Sequence, residues 1–289
     1  MRLDLLPFLR CPSGCTGDLI VCGTPDGDQI LTGALTCPQC HLVNPIQQGI
    51  ARLLPTDIAD YPTEAPADKP EDAAIALKRA EMACRDDQVE EYDRMWYLTL
   101  YGFVEIPMTL AMLSPAQDHV ILEAGCGTGR MTQAFAGRCD RLIAADFSWE
   151  SLKVCQEKML RAGVTNIDYI QADICRLPLK HSSVDRAASC GVLEHIPTPE
   201  SRQEAIRDIN RVLKPGGVLA LSAYNHTLLM RLLGDREGKH AGRIYYHRFD
   251  REELRDLLST AFNVDTITGA LVYYLVARCR KSMEAERYA

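Results

Sequence analysis

A chain of 289 residues has room for one large domain plus a small module, with ample core. Its net charge of −7 argues against a strongly basic nucleic-acid groove, although a local patch fits inside an acidic total. No apolar run approaches the ~18 residues of a membrane span, and Met1-Arg-Leu-Asp-Leu-Leu-Pro7 carries charge within its apolar stretch, so neither a span nor a secretory leader is expected.

Twelve cysteines without a leader point to reduced thiols and metal binding rather than disulfides, and to a cytoplasmic protein. Residues 1–56 read as a separate unit. Cys11-Pro-Ser-Gly-Cys15 and Cys37-Pro-Gln-Cys40 form two knuckles separated by a segment rich in Gly, Asp and β-formers. Two such pairs bring four thiolates (Cys11, Cys15, Cys37, Cys40) to the corners of one tetrahedron, the geometry of structural Zn2+. About 55 residues with one aromatic, Phe8, would otherwise bury too little surface to fold. The first pair has three intervening residues where the usual knuckle has two, so Cys22 or His41 is an alternative ligand and a metal-free ribbon an alternative state.

Residues 57–72, with Pro62, Pro66 and Pro70, read as an extended linker. A helical pattern follows over 73–113, with Ala74, Leu77 and Ala80 on one face. It includes the aromatic run Tyr92-Asp-Arg-Met-Trp-Tyr-Leu-Thr-Leu-Tyr101, where Tyr97 and Tyr101, four apart, share a face. Rings packed into core and a lid over a pocket are the two readings of this segment.

The apolar run Val120-Ile-Leu ends at Glu123, and Gly125, Gly127 and Gly129 then lead into a helix-like segment near Arg130. Glycine at alternate positions lets backbone turn sharply and approach a ligand closely. A second run, Arg141-Leu-Ile-Ala-Ala-Asp146, ends on an acid about twenty residues after the turn, the position from which a carboxylate accepts from both hydroxyls of a ribose. A dinucleotide and another nucleoside-bearing ligand compete for this reading. The spacing G-x-G-x-G, without the third glycine of the dinucleotide fingerprint, and the acid at Glu123 favour a cationic ligand. Further strands are expected at 166–171, 184–190, 217–223, 262–268 and 270–278, the last two joined by a turn at Thr268-Gly269, with helices at 148–162, 200–213 and 250–260. Such alternation predicts an α/β fold, a mostly parallel sheet with helices on both faces.

These pieces, with Gln171-Ala-Asp-Ile174, Leu177-Pro-Leu179, Gly191-Val-Leu-Glu-His-Ile196 and Arg211-Val-Leu-Lys-Pro-Gly-Gly217, resemble the class I S-adenosylmethionine-dependent methyltransferases, in particular the group similar to ubiquinone-biosynthesis methyltransferases. The resemblance runs from Val120 to Leu221. It implies a seven-stranded, doubly wound sheet of order 3-2-1-4-5-7-6 in a domain spanning 73–289, with the helices at 73–113 as a lid. The front unit resembles the zinc-ribbon modules of small activator proteins that partner RNA and translation-factor methyltransferases.

By the same resemblance the cofactor S-adenosylmethionine is held by Glu123, Gly125, Gly127, Gly129, Asp146 and Phe147, by Asp173 and Ile174 at adenine, and by Gly191 and Val192 at the methionine portion, with Tyr97 and Tyr101 in the lid. His195, Tyr224 and His247 are the candidate catalytic groups, and capping the loop or packing the sheet edge are their structural alternatives. A small-molecule acceptor fits the acidic chain and the aromatic lid. The alternatives are an RNA base methyltransferase whose zinc module contacts nucleic acid and a non-catalytic cofactor-binding scaffold. Because every donor-site position outside the lid lies after Val120, a chain beginning near Glu71 is expected to keep donor binding within about tenfold.

Overall fold

The computed structural model describes residues 1–15, 17–59, 70–92, 96–227, 232, 235–240 and 244–283, with backbone alone for 70–72, 90–92 and 96–99. The front of the chain forms three short antiparallel strands, β1 (Ile20–Cys22), β2 (Gly33–Thr36) and β3 (Val43–Gln47), followed by β4 (Ile50–Arg52). After them come α1 (Thr56–Ala59), α2 (Pro70–Tyr92) and α3 (Trp96–Leu113). Strands and helices then alternate: β5 (Val120–Ala124), α4 (Thr132–Ala136), β6 (Arg141–Asp146), α5 (Trp149–Arg161), β7 (Ile167–Gln171), β8 (Val184–Cys190), α6 (Pro199–Val212) and β9 (Leu213–Tyr224). A hairpin of β10 (Glu237–His240) and β11 (Ile244–His247), α7 (Arg251–Ser259), β12 (Asn263–Ala270) and β13 (Tyr274–Arg280) complete the described elements. Helices α5, α6 and α7 begin at side-chain caps. Ser148 accepts from Ser151 N–H, Thr198 from Ser201 N–H ahead of Pro199, and Asp250 from Glu253 N–H.

The order β7-β6-β5-β8-β9-β13-β12, with β13 antiparallel to both neighbours, is the expected 3-2-1-4-5-7-6 arrangement. Among the described residues the sheet has eleven strands rather than the expected seven, because β4 pairs in parallel with β7 and carries β3, β2 and β1 with it. A bare β7 would present a row of unpaired N–H and C=O groups, and the front module covers that edge. Two smaller corrections follow from the ladders. Gly269 lies opposite Leu275 within the β12–β13 pair, so the turn falls at 271–273 and not at Thr268-Gly269. The β10–β11 hairpin was not expected at all, since Glu237-Gly-Lys-His240 has no apolar alternation.

The front unit is packed on the sheet rather than suspended from a linker. Leu5, Leu9, Leu35, Ile46 and Leu53 share one apolar core with Leu122, Ile143, Ile170 and Leu177. At the seam Asp168 of β7 is buried. It accepts from Arg2 backbone N–H (3.1 Å), Arg2 Nε (3.2 Å), Arg2 Nη2 (2.8 Å) and Arg141 Nη1 (3.2 Å). Asp4 pairs with Arg141 on the same cluster. Residues 60–69 of the expected linker lie outside the described residues, and 56–59 form a helical turn. No described helix is long and apolar enough to cross a membrane.

Candidate active site and metal centre

A cavity opens beyond the carboxyl ends of β5, β6 and β8, the place where parallel α/β sheets bind ligands. Its floor is the glycine loop. Gly125, Gly127 and Gly129 all have positive φ (87°, 52° and 92°), which side chains with a Cβ adopt only under strain. Space separates their roles. A Cβ on Gly125 would lie 2.3 Å from Val192 Cγ2 and one on Gly129 2.9 Å from Cys155 Sγ, so both are fixed by packing. A Cβ on Gly127 would meet nothing within 4 Å, so the space above Gly127 is left for a ligand.

Among the described residues Glu81, Glu123, Asp146 and Asp173 line this space, and the last three surround the glycine loop and the strand ends. Asp146 is buried and accepts from Gly127 N–H (2.8 Å, Oδ2) and Ser148 N–H (2.9 Å, Oδ1), which leaves a lone pair on each oxygen for a vicinal diol. Burial pushes its pKa up despite these two bonds. Glu123 at the end of β5 is buried, holds a single bond from Thr132 Oγ1 (2.7 Å), and has its pKa raised well above the carboxylate range by burial. A cation placed beside it would let it ionise. Asp173 accepts from Cys175 N–H (3.0 Å) and pairs with Lys78 Nζ (2.7 Å).

Helix α2 roofs the cavity. Lys78, Arg85 and Val89 line it, and Asp86 accepts from Ser148 Oγ (2.6 Å) and Glu150 N–H (3.1 Å), which ties the roof to the start of α5. Leu54 and Ile58, from the end of the front module and α1, complete the wall. Sequence reading missed these residues because no spacing rule connects them to the glycine loop.

In the front module the Sγ atoms of Cys11, Cys15, Cys37 and Cys40 all lie within 4.8 Å of one another, with Cys11–Cys40 at 3.6 Å and Cys15–Cys37 at 3.4 Å. Zn–S bonds of ~2.3 Å in a tetrahedron separate sulfurs by ~3.8 Å, so this donor set fits zinc. The three-residue spacing of the first knuckle is accommodated by Gly14 at φ 85°, and Ser13 Oγ lies 3.2 Å from both Cys11 and Cys40 Sγ. Cys22 and His41 stand outside the cluster.

Residues 122–221 match the family model described as "Methyltransferase domain", and residues 2–49 match the model described as "Trm112p-like protein". Residues 122–221 are a methyltransferase domain. The chain is 33% identical over 122 residues to a ubiquinone biosynthesis O-methyltransferase of Paracidovorax citrulli, covering 42% of this chain and 50% of that protein. It is 31% identical over 150 residues to the ubiquinone/menaquinone biosynthesis C-methyltransferase UbiE of Pseudoalteromonas translucida, covering 49% of this chain and 59% of that one. A tRNA (carboxymethyluridine(34)-5-O)-methyltransferase of Arabidopsis thaliana is 32% identical over 123 residues, 42% of this chain and 28% of that protein. The chain thus spans little more than half the length of these curated relatives at most. Among solved structures, a Burkholderia thailandensis 1,6-didemethyltoxoflavin-N1-methyltransferase shares the fold, with a TM-score of 0.59 at 22% identity, over 76% of this chain and 94% of that one.

Within the methyltransferase domain the structure brings Glu123, Gly125, Gly127, Asp146, Phe147, Asp173, Ile174, Gly191, Val192 and His195 to one cavity. Gly129 supports the loop from behind. His195 is the candidate catalytic group that lines this cavity. Its Nδ1 lies 2.7 Å from the Tyr245 carbonyl oxygen; a carbonyl only accepts, so Nδ1 carries the proton and Nε2 the lone pair. Burial, then Arg85, lowers its pKa well below the usual histidine value, so the ring is neutral. Tyr224 lies beside it, ring centroids 5.5 Å apart, and burial holds its phenol protonated. His247 is elsewhere: its Nε2 bonds Glu253 Oε1 (2.8 Å), fastening the hairpin to α7, and it is not among the residues lining the cavity. Tyr101 stacks on Tyr273 at 4.7 Å, next to Tyr224 rather than over the glycine loop. The side chain of Tyr97 lies outside the described residues.

Sequence reading also missed a buried network on this side. Arg130 Nη1 donates to Glu105 Oε2 (2.5 Å), Ser222 Oγ donates to Glu105 Oε1 (2.5 Å), and Gly191 N–H donates to Ser222 Oγ (3.1 Å). A lone acid inside the apolar helical run Phe103-Val-Glu-Ile-Pro-Met108 was the available signal.

Proposed function

We propose that the protein transfers a methyl group from S-adenosylmethionine to a small-molecule acceptor, with His195 as the base. One observation carries the reading: the cavity gathers a diol-binding acid (Asp146), an acid in need of a cation (Glu123) and an open glycine (Gly127), and a neutral histidine stands at its far wall. These residues fit the donor, which supplies an activated methyl on a cationic sulfur. Asp146 would accept from the ribose hydroxyls, Asp173 and Ile174 would border adenine, and Glu123 would face the positive end. Holding donor and acceptor in line supplies up to ~7–11 kcal/mol of the barrier, so the chain's main chemical task beyond binding is removing the acceptor's proton. His195 Nε2, with its tautomer fixed by the Tyr245 carbonyl, suits that task.

The quinone and tRNA names among the relatives belong to those proteins, and the small-molecule reading is favoured here by charge. The three arginines of residues 1–56 all point to the methyltransferase domain: Arg2 to Asp168 of β7, Arg10 to Asp208 of α6 and Arg52 to Gln171 of β7. A module that grips phosphates needs its cations outward. The four-cysteine cluster is read as one structural zinc that holds the module against β7. Calorimetry with S-adenosylmethionine and S-adenosylhomocysteine tests the donor. Binding of both with a base-dependent methyl transfer lost in His195→Ala is the expected result, and tight NADH binding with no response to the sulfonium would overturn it. Metal analysis should return about one zinc per chain, lost in the Cys37→Ser, Cys40→Ser variant.

A further inference from the structure

Glu194, next to His195 on the turn after β8, is fully buried, and both its carboxyl oxygens lack a hydrogen-bond partner among the described residues. Buried carboxyl groups in folded proteins are paired, hydrogen-bonded or reserved for a ligand. Pairing is available nearby and goes elsewhere: Arg130 is bound by Glu105, and Arg85 by Glu81 at 2.9 Å. Glu194 is therefore an unpaired carboxyl beside a pocket whose positive charges are already matched. Burial first, and then Glu105, pushes its pKa up to about 8, so it carries a proton and presents an O–H donor.

The carboxyl has an open neighbour. A Cβ placed on Gly191, at φ 70°, would sit 3.8 Å from Glu194 Oε1 and 3.7 Å from Arg130 Nη2, so that oxygen lies directly behind the stretch of cavity wall that Gly191 forms. On its other side Glu194 is close enough to Tyr224 to raise that phenol's pKa further. Tyr224 in turn meets His195, His240 and Tyr273 edge-on, with ring centroids at 5.5, 5.8 and 4.9 Å. Tyr224 and the rings packed on it thus stand on one side of the carboxyl, and ring edges and faces suit a flat partner.

We propose that Glu194 binds the methyl acceptor, its buried carboxyl donating a hydrogen bond to an oxygen of an uncharged ring whose nucleophile faces His195. The inference rests on the donor reading above. During transfer the acceptor O–H or N–H loses its proton to His195 Nε2, the nucleophile–carbon bond forms, and the C–S bond breaks with its electron pair left on sulfur. Glu194 keeps its own proton throughout, holding the ring and favouring negative charge developing on it. An anionic acceptor is disfavoured, since no counter-charge is released to meet it.

Infrared difference spectroscopy on the full chain tests this with catechol as the probe and S-adenosylhomocysteine bound. The protonated-carboxyl band of Glu194, identified by its loss in Glu194→Gln, should shift on adding catechol and stay in place on adding S-adenosylhomocysteine alone. Glu194→Leu should weaken catechol about tenfold, Glu194→Gln, whose amide still donates, less than about threefold, and both should leave S-adenosylhomocysteine affinity unchanged. Benzoate should bind more weakly than catechol. A band that moves with S-adenosylhomocysteine would assign the carboxyl to the donor site and overturn the proposal. So would catechol that does not bind or binds both variants like the native chain, or benzoate that binds more tightly. If Glu194→Leu fails to fold by circular dichroism, the band shift in the native chain still decides. Absence of S-adenosylhomocysteine binding would instead sink the donor reading, and the catechol titration without it would still test Glu194.

Discussion

Two buried carboxyl groups show what different parts of this molecule are for. Asp168, at the seam between the front module and the sheet, is held by four hydrogen bonds from two arginines. Glu194, behind the candidate active site, is equally buried and holds none among the described residues. Asp146 lies between, with one backbone bond to each oxygen and one lone pair on each left over. A buried carboxyl group whose partners all come from the chain serves the fold. One whose partners are missing is set up for something that arrives later, because leaving it unmade costs about 1–3 kcal/mol.

The largest test of this contrast is at the seam. The sequence alone suggested that a chain starting near Glu71 would keep donor binding within about tenfold. The structure reverses that expectation. Such a chain loses Leu54 and Ile58 from the cavity wall, uncovers the edge of β7 and strips Asp168 of Arg2. It should aggregate or lose its far-ultraviolet dichroism, and a folded, donor-binding product would show the module to be dispensable. Arg2→Ala breaks the same cluster more gently and should cost about 3–4 kcal/mol in urea unfolding, as a buried ion pair deprived of one partner does. A loss near zero would place Asp168 among ordinary surface pairs.

Gly127→Val probes the half-satisfied site. Its side chain would fill the open space above the loop in a backbone conformation suited to glycine, so donor affinity should fall at least ~100-fold, ~2.7 kcal/mol, by calorimetry. Unchanged affinity would move the donor off the loop.

Glu194 makes a prediction with a definite sign in pH. In the unfolded chain its proton leaves near the ordinary value of 4.5; in the folded chain it stays until about 8. Between those values the unfolded state binds fewer protons, so this group makes the folded chain less stable as pH rises. Glu194→Gln should therefore gain on the native chain by on the order of 2–3 kcal/mol from about pH 5 to about pH 8 in urea unfolding. Because Glu123 and Asp146 are present in both proteins, the difference isolates Glu194. Parallel profiles would mean that its carboxyl is not proton-bearing. The smallest effect is expected at Lys78→Met. Freeing Asp173 Oδ2 from its ion pair should tighten donor binding about threefold, ~0.65 kcal/mol, whereas weaker binding would make Lys78 part of the donor's grip.

The sequence by itself determined the parts of this protein that are local. The glycine loop and Asp146 were legible because each sits at the end of an apolar run, and a parallel sheet sends all such ends to one side, whereas Asp173 was carried by the resemblance. The core strand order was carried by the resemblance, and the four cysteines by their spacing alone. Only the tertiary structure decided that the front module adds four strands to the sheet, since β4 is three residues long and its pairing with β7 spans more than a hundred residues of chain. The same holds for Leu54, Lys78, Glu105, Glu194 and His240 around the site. No periodicity marks them, because each owes its role to a neighbour distant in sequence. Burial, which turns an ordinary carboxyl into a proton-bearing one, is a property of the packed molecule.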